Sequence, residues 1–165
     1  MRTNAVIICF VSVLYLVLCI LGHHHDAPKD YLKGHNHARA SVGVQPLKWN
    51  QPLQGVAQRF LNKHVEDCLE GQLSAVASRY YGQNNAHNLV SEITVAEAVA
   101  SWVEQKQYYD YHTNSCNGAD CRCYTQVVWR NSTHIGCDRV RCRNGGTLVT
   151  CIYRPRGNLV DQRPY

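Results

Sequence analysis

Nine cysteines occur among the 165 residues, and their placement constrains this chain more than any other feature. Two of them, Cys9 and Cys19, lie in an apolar run from Ala5 to Leu21 that follows a single charge, Arg2, and is interrupted by Ser12. A membrane span needs about 20 apolar residues and usually basic flanks, whereas a secretory signal has a shorter apolar core behind a basic residue. Residues 1–22 are therefore read as a signal peptide, with cleavage between Cys19 and Ala27, and no later stretch reads as a transmembrane segment. The seven cysteines left behind are Cys68, Cys116, Cys121, Cys123, Cys137, Cys142 and Cys151. In an oxidising compartment they read as a disulfide framework. Seven is odd, so at least one thiol lacks an intramolecular partner. Zinc is the rival reading, but the spacings do not form two Cys-x-x-Cys knuckles.

A mature chain of about 140 residues suits one domain with one core. With Arg2 removed, 16 Lys and Arg stand against 12 Asp and Glu, interspersed rather than clustered. That balance favours solubility and weak attraction to anionic surfaces. No basic run or stacking motif supports nucleic-acid binding. Asn131-Ser132-Thr133 is an N-glycosylation sequon, usable after secretion if exposed. His23-His24-His25 could bind metal as a tract, but its place at the mature N-terminus favours a solvated leader.

Periodicity divides the chain into helices first and strands last. Asp26-Ala27-Pro28 looks like a helix start. Tyr31, Leu32, His35, Ala38, Arg39 and Val42 follow at helical spacing, with Gly43 as the stop. Val44 to Trp49 reads as extended. Asn50 caps a second helix with Leu53, Val56, Ala57, Phe60, Leu61 and His64 on its apolar stripe. From Glu66 to Ile93 the pattern fades, and the stretch reads as a long loop tied down by Cys68. Thr94-x-x-Glu97 is a capping box for a third helix. Tyr124 to Trp129 reads as a strand by propensity, though so short a run is ambiguous. Ile135 to Arg143 and Thr147 to Tyr153 flank Asn144-Gly145-Gly146, a hairpin signal. The tail, 154–165, reads as irregular. The class is α+β, with helices packed on an antiparallel sheet.

Several of these segments resemble a known family. Cys121-x-Cys123-Tyr124-Thr125-Gln126-Val127-Val128-Trp129-Arg130-Asn131 is similar to the C-x-H-Y-T-Q-V-V-W-R-N signature of plant pathogenesis-related protein 1. That family belongs to the CAP superfamily of cysteine-rich secretory proteins. His35-Asn36-x-x-Arg39, Trp102-Val103, Tyr109-Asp110-Tyr111, Gly136-Cys137, Val140-Arg141-Cys142, Pro155-x-Gly157-Asn158 and Gln162-Arg163-Pro164-Tyr165 agree in order. The agreement runs from Pro28 to Tyr165 except between Cys68 and Ile93. It implies a single CAP domain over residues 28–165, built as a disulfide-stapled three-layer α-β-α sandwich with a central antiparallel sheet. It also implies a short helix at the start of Tyr124 to Trp129, and the pairs Cys68–Cys137, Cys116–Cys121 and Cys142–Cys151.

The family cleft usually holds two His and two Glu that can bind a divalent metal, since neutral imidazole and carboxylate suit zinc and carboxylates serve as general bases. At the matching positions this chain has Gln83, Gln105 and Cys123, and in the diverged loop Gln72. Glutamine keeps the shape of glutamate but carries no charge and no titratable base. The resemblance therefore implies no metal, no cofactor and no catalytic residue here. Three readings of Cys123 stand open: a buried space-filler, a partner in an intermolecular or alternative disulfide, or a reactive thiol.

Functional expectations follow from the family. The first is a secreted, non-enzymatic defence protein of the plant apoplast, monomeric unless Cys123 bridges two copies, that binds sterol or another lipid. Tyr108, Tyr109 and Tyr111 would line the lipid-binding loop, although tyrosines packing under a loop is an equal reading. The second is a precursor that releases the peptide Pro155 to Tyr165. Arg154, Arg156 and Asp161 depart from the family pattern around that peptide. A metal-dependent hydrolase is the third, and the four replaced cleft positions oppose it.

Overall fold

The computed structural model of the chain describes residues 26–66, 68 and 78–165. The signal-peptide reading, the His23–His25 tract and Gln72 lie outside the described residues.

Each helix start has a specific chemical cause. Helix α1, Pro28–Ala40, begins with proline in its first turn, and the Asp30 carboxylate accepts the Ala27 N–H at 2.9 Å. Asp26, at the head of the expected start, does not cap the helix but pairs with Arg139 at 2.7 Å. The helix gives way to a turn that ends at Gly43, whose φ of 72° a side chain would resist. A two-residue strand β1, Lys48–Trp49, leads to α2, Gln51–His64. The Asn50 side chain caps α2 by accepting the Leu53 N–H at 3.0 Å. Leu53, Ala57, Phe60 and Leu61 are its buried stripe. Helix α3, Val95–Glu104, starts with the expected capping box: Thr94 accepts the Glu97 N–H, and Glu97 accepts the Thr94 N–H.

A 3₁₀ turn, Gln105–Tyr108, carries α3 into a small two-stranded sheet of β3, Tyr109–Asp110, and β4, Ser115–Cys116. Helix α4, Arg122–Val127, follows. The strand expected there from propensity is therefore a helix, as the resemblance implied. Its Tyr124, Thr125, Gln126 and Val127 are all buried, so tertiary packing overrides the β-branched composition.

The main sheet has the order β1-β5-β6-β2, where β2 is Gly82–Asn88, β5 is His134–Arg141 and β6 is Thr147–Arg154. Its pairs β5–β6 and β6–β2 are antiparallel, and only the short β1 runs parallel to β5. Helix α2 covers one face, and α1, α3 and α4 cover the other, which gives the three-layer α-β-α sandwich. The two-residue period of β6 divides its side chains accordingly. Leu148 and Ile152 pack with the α2 residues Phe60, Leu61, Leu53 and Ala57. Val149, Cys151 and Tyr153 pack with Tyr31, Val99, Trp102 and Tyr124.

Strand β2 corrects the long-loop reading of Glu66 to Ile93. Its Gly-Gln-Asn-Asn-Ala-His-Asn sequence is poor in strand formers, yet it pairs with β6 along all seven residues. It is an edge strand beside the most buried strand, so its partner's register orders it rather than its own propensity.

The disulfides also correct the expectation. Cys116–Cys121 forms as expected, with Cα atoms 5.5 Å apart. The others are Cys68–Cys142 and Cys137–Cys151, not Cys68–Cys137 and Cys142–Cys151. Cys137 faces α1, α3 and α4, whereas Cys68 packs with Phe60 and Leu61 on the α2 side, so the sheet separates that pair. Cys142 lies just past β5, where the Arg143 N–H reaches the Val65 carbonyl at the end of α2, and there it meets Cys68.

Candidate functional site

The described residues that the resemblance aligned with the family cleft are Gln105 on the 3₁₀ turn after α3, Cys123 on α4 and Gln83 on β2. The Gln105 side chain turns toward α4, and its Oε1 accepts the Cys123 N–H at 3.0 Å. The Cys123 carbonyl accepts from Asn84 Nδ2 at 3.0 Å. Asn84 Nδ2 also donates to the Tyr153 hydroxyl at 3.2 Å. That hydroxyl donates in turn to His35 Nε2 at 2.7 Å, because His35 Nδ1 gives its proton to the Tyr31 carbonyl, also at 2.7 Å. His35 and Asn84 thus belong to a buried chain of neutral groups that runs from α1 to Cys123.

Burial sets the protonation states along this chain. It lowers His35 to about 4, below the ordinary 6.5, which keeps the imidazole neutral near pH 7. It raises Tyr153 well above the usual phenol range. Desolvation also pushes the Cys123 thiol up to about 11, against a smaller opposing contribution from its hydrogen bond to Gln105. A reactive cysteine needs a lowered pKa and an electropositive, accessible setting. Cys123 is half-buried and its pKa is raised, which disfavours the reactive-thiol reading.

Gln83 is aligned differently. Its Nε2 donates along β2 to Asn85 Oδ1 at 2.9 Å, and Asn85 Oδ1 also accepts from the Thr150 hydroxyl. Adjacent strand residues point to opposite faces, so Gln83 and Asn84 diverge. The structure therefore joins Gln105 to Cys123 and engages Gln83 with β2 and β6. This donor set does not fit a divalent metal, which gains most from deprotonated ligands. Two members are uncharged amides and the third is a thiol held in its protonated form. Among the described residues, no three His, Cys, Asp or Glu side chains group as metal ligands.

The tyrosine stretch assembles into an aromatic cluster with Tyr124 of the signature segment and Tyr165 of the terminal motif. Tyr109 contacts Tyr124 and the C-terminal Tyr165 at ring-centroid distances of 6.1 and 6.3 Å. Tyr111 stacks on Tyr165 at 5.1 Å, and the Arg163 guanidinium lies over the Tyr111 ring, 5.6 Å from its centroid. Tyr124 and Tyr165 also bring their hydroxyls together at 3.3 Å. Tyr108 enters through its backbone, its carbonyl accepting the Asn117 N–H. Beside this cluster, a cleft of about 240 Å³ opens between the Cys116–Cys121 loop and the tail, with Tyr109, Arg122, Trp129, Asn158 and Leu159 in its walls.

The tail itself is seated by the signature segment. Gln126 Oε1 accepts the Gly157 N–H, Asn158 Oδ1 accepts from the Thr125 hydroxyl, and Asn158 Nδ2 donates to the Arg122 carbonyl. The Arg130 N–H donates to the Pro164 carbonyl at 2.7 Å. These bonds explain why the terminal motif accompanies the α4 motif.

Comparison with known proteins agrees with this arrangement. The model of the cysteine-rich secretory protein family, CAP, matches residues 32–153. The chain belongs to this family. It is of the plant pathogenesis-related protein 1 type: pathogenesis-related protein 1B of Nicotiana tabacum is 44% identical over 155 residues, covering 93% of this chain and 89% of the relative. Pathogenesis-related protein 1 of Arabidopsis thaliana is 41% identical, covering 96% and 95%. Among solved structures, venom allergen-like protein 4 of Schistosoma mansoni superposes on the CAP domain with a TM-score of 0.64 at 28% identity, covering 83% of this chain and 92% of that one. Among the described residues, no helix of the domain is long and apolar enough to cross a membrane.

Proposed function

We propose that this chain is a secreted, apoplastic defence protein whose CAP domain acts by binding, without catalysis, and that its ligand is a sterol or a similar lipid. The non-catalytic part is supported by Cys123 and Gln105, which the resemblance aligns with the family's cleft: they are joined by a hydrogen bond from the Cys123 N–H, burial favours the protonated thiol, and Gln105 is a neutral amide. That pair offers no general base and no anionic metal ligand. The lipid part is supported by the tyrosine cluster, where Tyr111 is substantially exposed beside Tyr109 and Tyr165. An apolar ligand needs aromatic surface and few polar groups. Residues 1–22 act as the export signal in this reading, and N-terminal sequencing of the secreted protein should begin between Cys19 and Ala27. Titration of the purified protein with labelled sterol tests the ligand: saturable binding that weakens in Tyr111→Ala supports it, and linear uptake overturns it.

The release of Pro155 to Tyr165 is the second reading. It is favoured by the exposure of Arg154 and Pro155 just before the tail is seated. A synthetic peptide of this sequence should then reproduce the defence response of the whole protein.

A further inference from the structure

Asn131 heads the only Asn-x-Ser/Thr triplet in the chain, and the fold presents it in an unusual place. The turn after α4 leaves Asn131 and Thr133 exposed while Ser132, between them, is fully buried. Ser132 accepts from Gln126 Nε2 at 3.1 Å and donates to the Pro155 carbonyl at 2.7 Å. Thr133 donates its N–H to the Arg154 carbonyl at 3.0 Å. Among the described residues, the Asn131 amide has no hydrogen-bond partner. A glycan attached during export must find room in the folded state, and an exposed, unbonded asparagine in a turn gives it room. The same turn binds Arg154 and Pro155 within two residues of Asn131, about 7 Å of chain at most.

We propose that Asn131 carries an N-linked glycan in the secreted protein, and that this glycan screens the Arg154–Arg156 stretch from proteases. The donor is a polyprenyl-pyrophosphate oligosaccharide of the secretory pathway. Asn131 Nδ2 forms a bond to the anomeric carbon of the first sugar, and the bond from that carbon to the pyrophosphate oxygen breaks. The lipid pyrophosphate leaves, and one amide proton passes to a base of the transferase. The glycan part rests on the export in the first reading above, but not on the lipid ligand or on release of the peptide. The screening part concerns the bond that the peptide-release reading invokes but requires only that a protease can reach it.

The test is made on the full chain secreted from plant cells. Intact mass should exceed that of the polypeptide by a glycan, and peptide N-glycosidase A in heavy-oxygen water should leave a labelled aspartate at position 131. Thr133→Ser should keep the added mass, whereas Thr133→Ala and Asn131→Gln should lose it. Limited subtilisin digestion then compares glycosylated and enzymatically deglycosylated protein. Cutting at 154–156 should be several-fold slower with the glycan, while cutting at the exposed loop around Val90 should be unchanged. Unmodified mass in the secreted wild type overturns the site. A glycan with equal cutting rates at 154–156 overturns the screening.

Discussion

Cys137 and Cys151 are direct cross-strand partners in β5 and β6, with Cα atoms 4.1 Å apart, and their disulfide lies on the sheet face covered by α1, α3 and α4. The Cys68–Cys142 bridge lies on the other face and ties the end of α2 to the end of β5 across 74 residues of sequence. Chain entropy makes the longer loop the larger stabiliser, about 4.5 kcal/mol against about 3 kcal/mol for Cys137–Cys151 and about 2 kcal/mol for Cys116–Cys121. Peptide mapping under non-reducing conditions should recover 68–142, 116–121 and 137–151 as linked pairs. In denaturant titrations, Cys68→Ser/Cys142→Ser should lose more stability than Cys116→Ser/Cys121→Ser. Recovery of a 68–137 link would overturn the facing argument.

Arg39 should be as hard to replace as a disulfide. Its guanidinium is buried and donates to four carbonyls: Gln45, Val127, Trp129 and Ser132, at 2.7 to 2.9 Å. It thereby joins α1 to the end of α4 and to the turn that seats the tail. Lysine has one nitrogen and cannot serve four acceptors set in a fork. Arg39→Lys should cost roughly 3 kcal/mol or more, because buried carbonyls lose a charged donor. The measurement is the shift in denaturant midpoint at unchanged slope.

Much of the fold was legible wherever a local chemical signal governed it. Asn50 and Thr94 mark helix starts through bonds to residues only three positions away, and Asn144-Gly145-Gly146 marks the hairpin. Strand β2 was not legible, because Gly82 to Asn88 owes its extended form to β6 and not to its own composition. The disulfide pairing failed for a related reason. Which face of the sheet Cys137 and Cys142 occupy depends on strand register, and spacing along the chain does not encode it. The resemblance aligned Gln105 and Cys123 with cleft positions of the family, and in the fold the two are in hydrogen-bond contact. It did not reveal that Gln83 bonds along β2, since that turns on strand alternation. Nor did it show that Tyr165, from the far end of the chain, would stack on Tyr111.

His35 gives the fold an acid sensitivity of predictable sign. Its pKa is lowered to about 4 in the folded state, from an ordinary value of 6.5, chiefly by burial. The unfolded chain therefore binds the extra proton first. The stabilisation is fully present above about pH 6.5 and is lost progressively as pH falls toward 4. The shift corresponds to as much as about 3 kcal/mol. His35→Gln removes the titration, so the wild-type protein should lose on the order of 2 to 3 kcal/mol more than this variant between pH 7 and pH 4. Parallel slopes for the two proteins would show that the imidazole is not held neutral in the fold.

The state of Cys123 can be read from its chemistry. A thiol pushed up to about 11 is almost wholly protonated near neutral pH, and this one is half-buried as well. Alkylation by iodoacetamide at neutral pH should be slower than for a free cysteine by on the order of 100-fold, since the thiolate is the reacting form. The rate should rise nearly tenfold per pH unit until the domain unfolds. In denaturant, one equivalent should react quickly, because the six other mature cysteines are bridged. Cys123→Ala should leave the fold intact and abolish this labelling, with a stability change of about 1 kcal/mol or less for so small a side chain. Fast labelling at neutral pH would instead support the reactive-thiol reading. A reducible dimer that disappears in Cys123→Ala would support the intermolecular one.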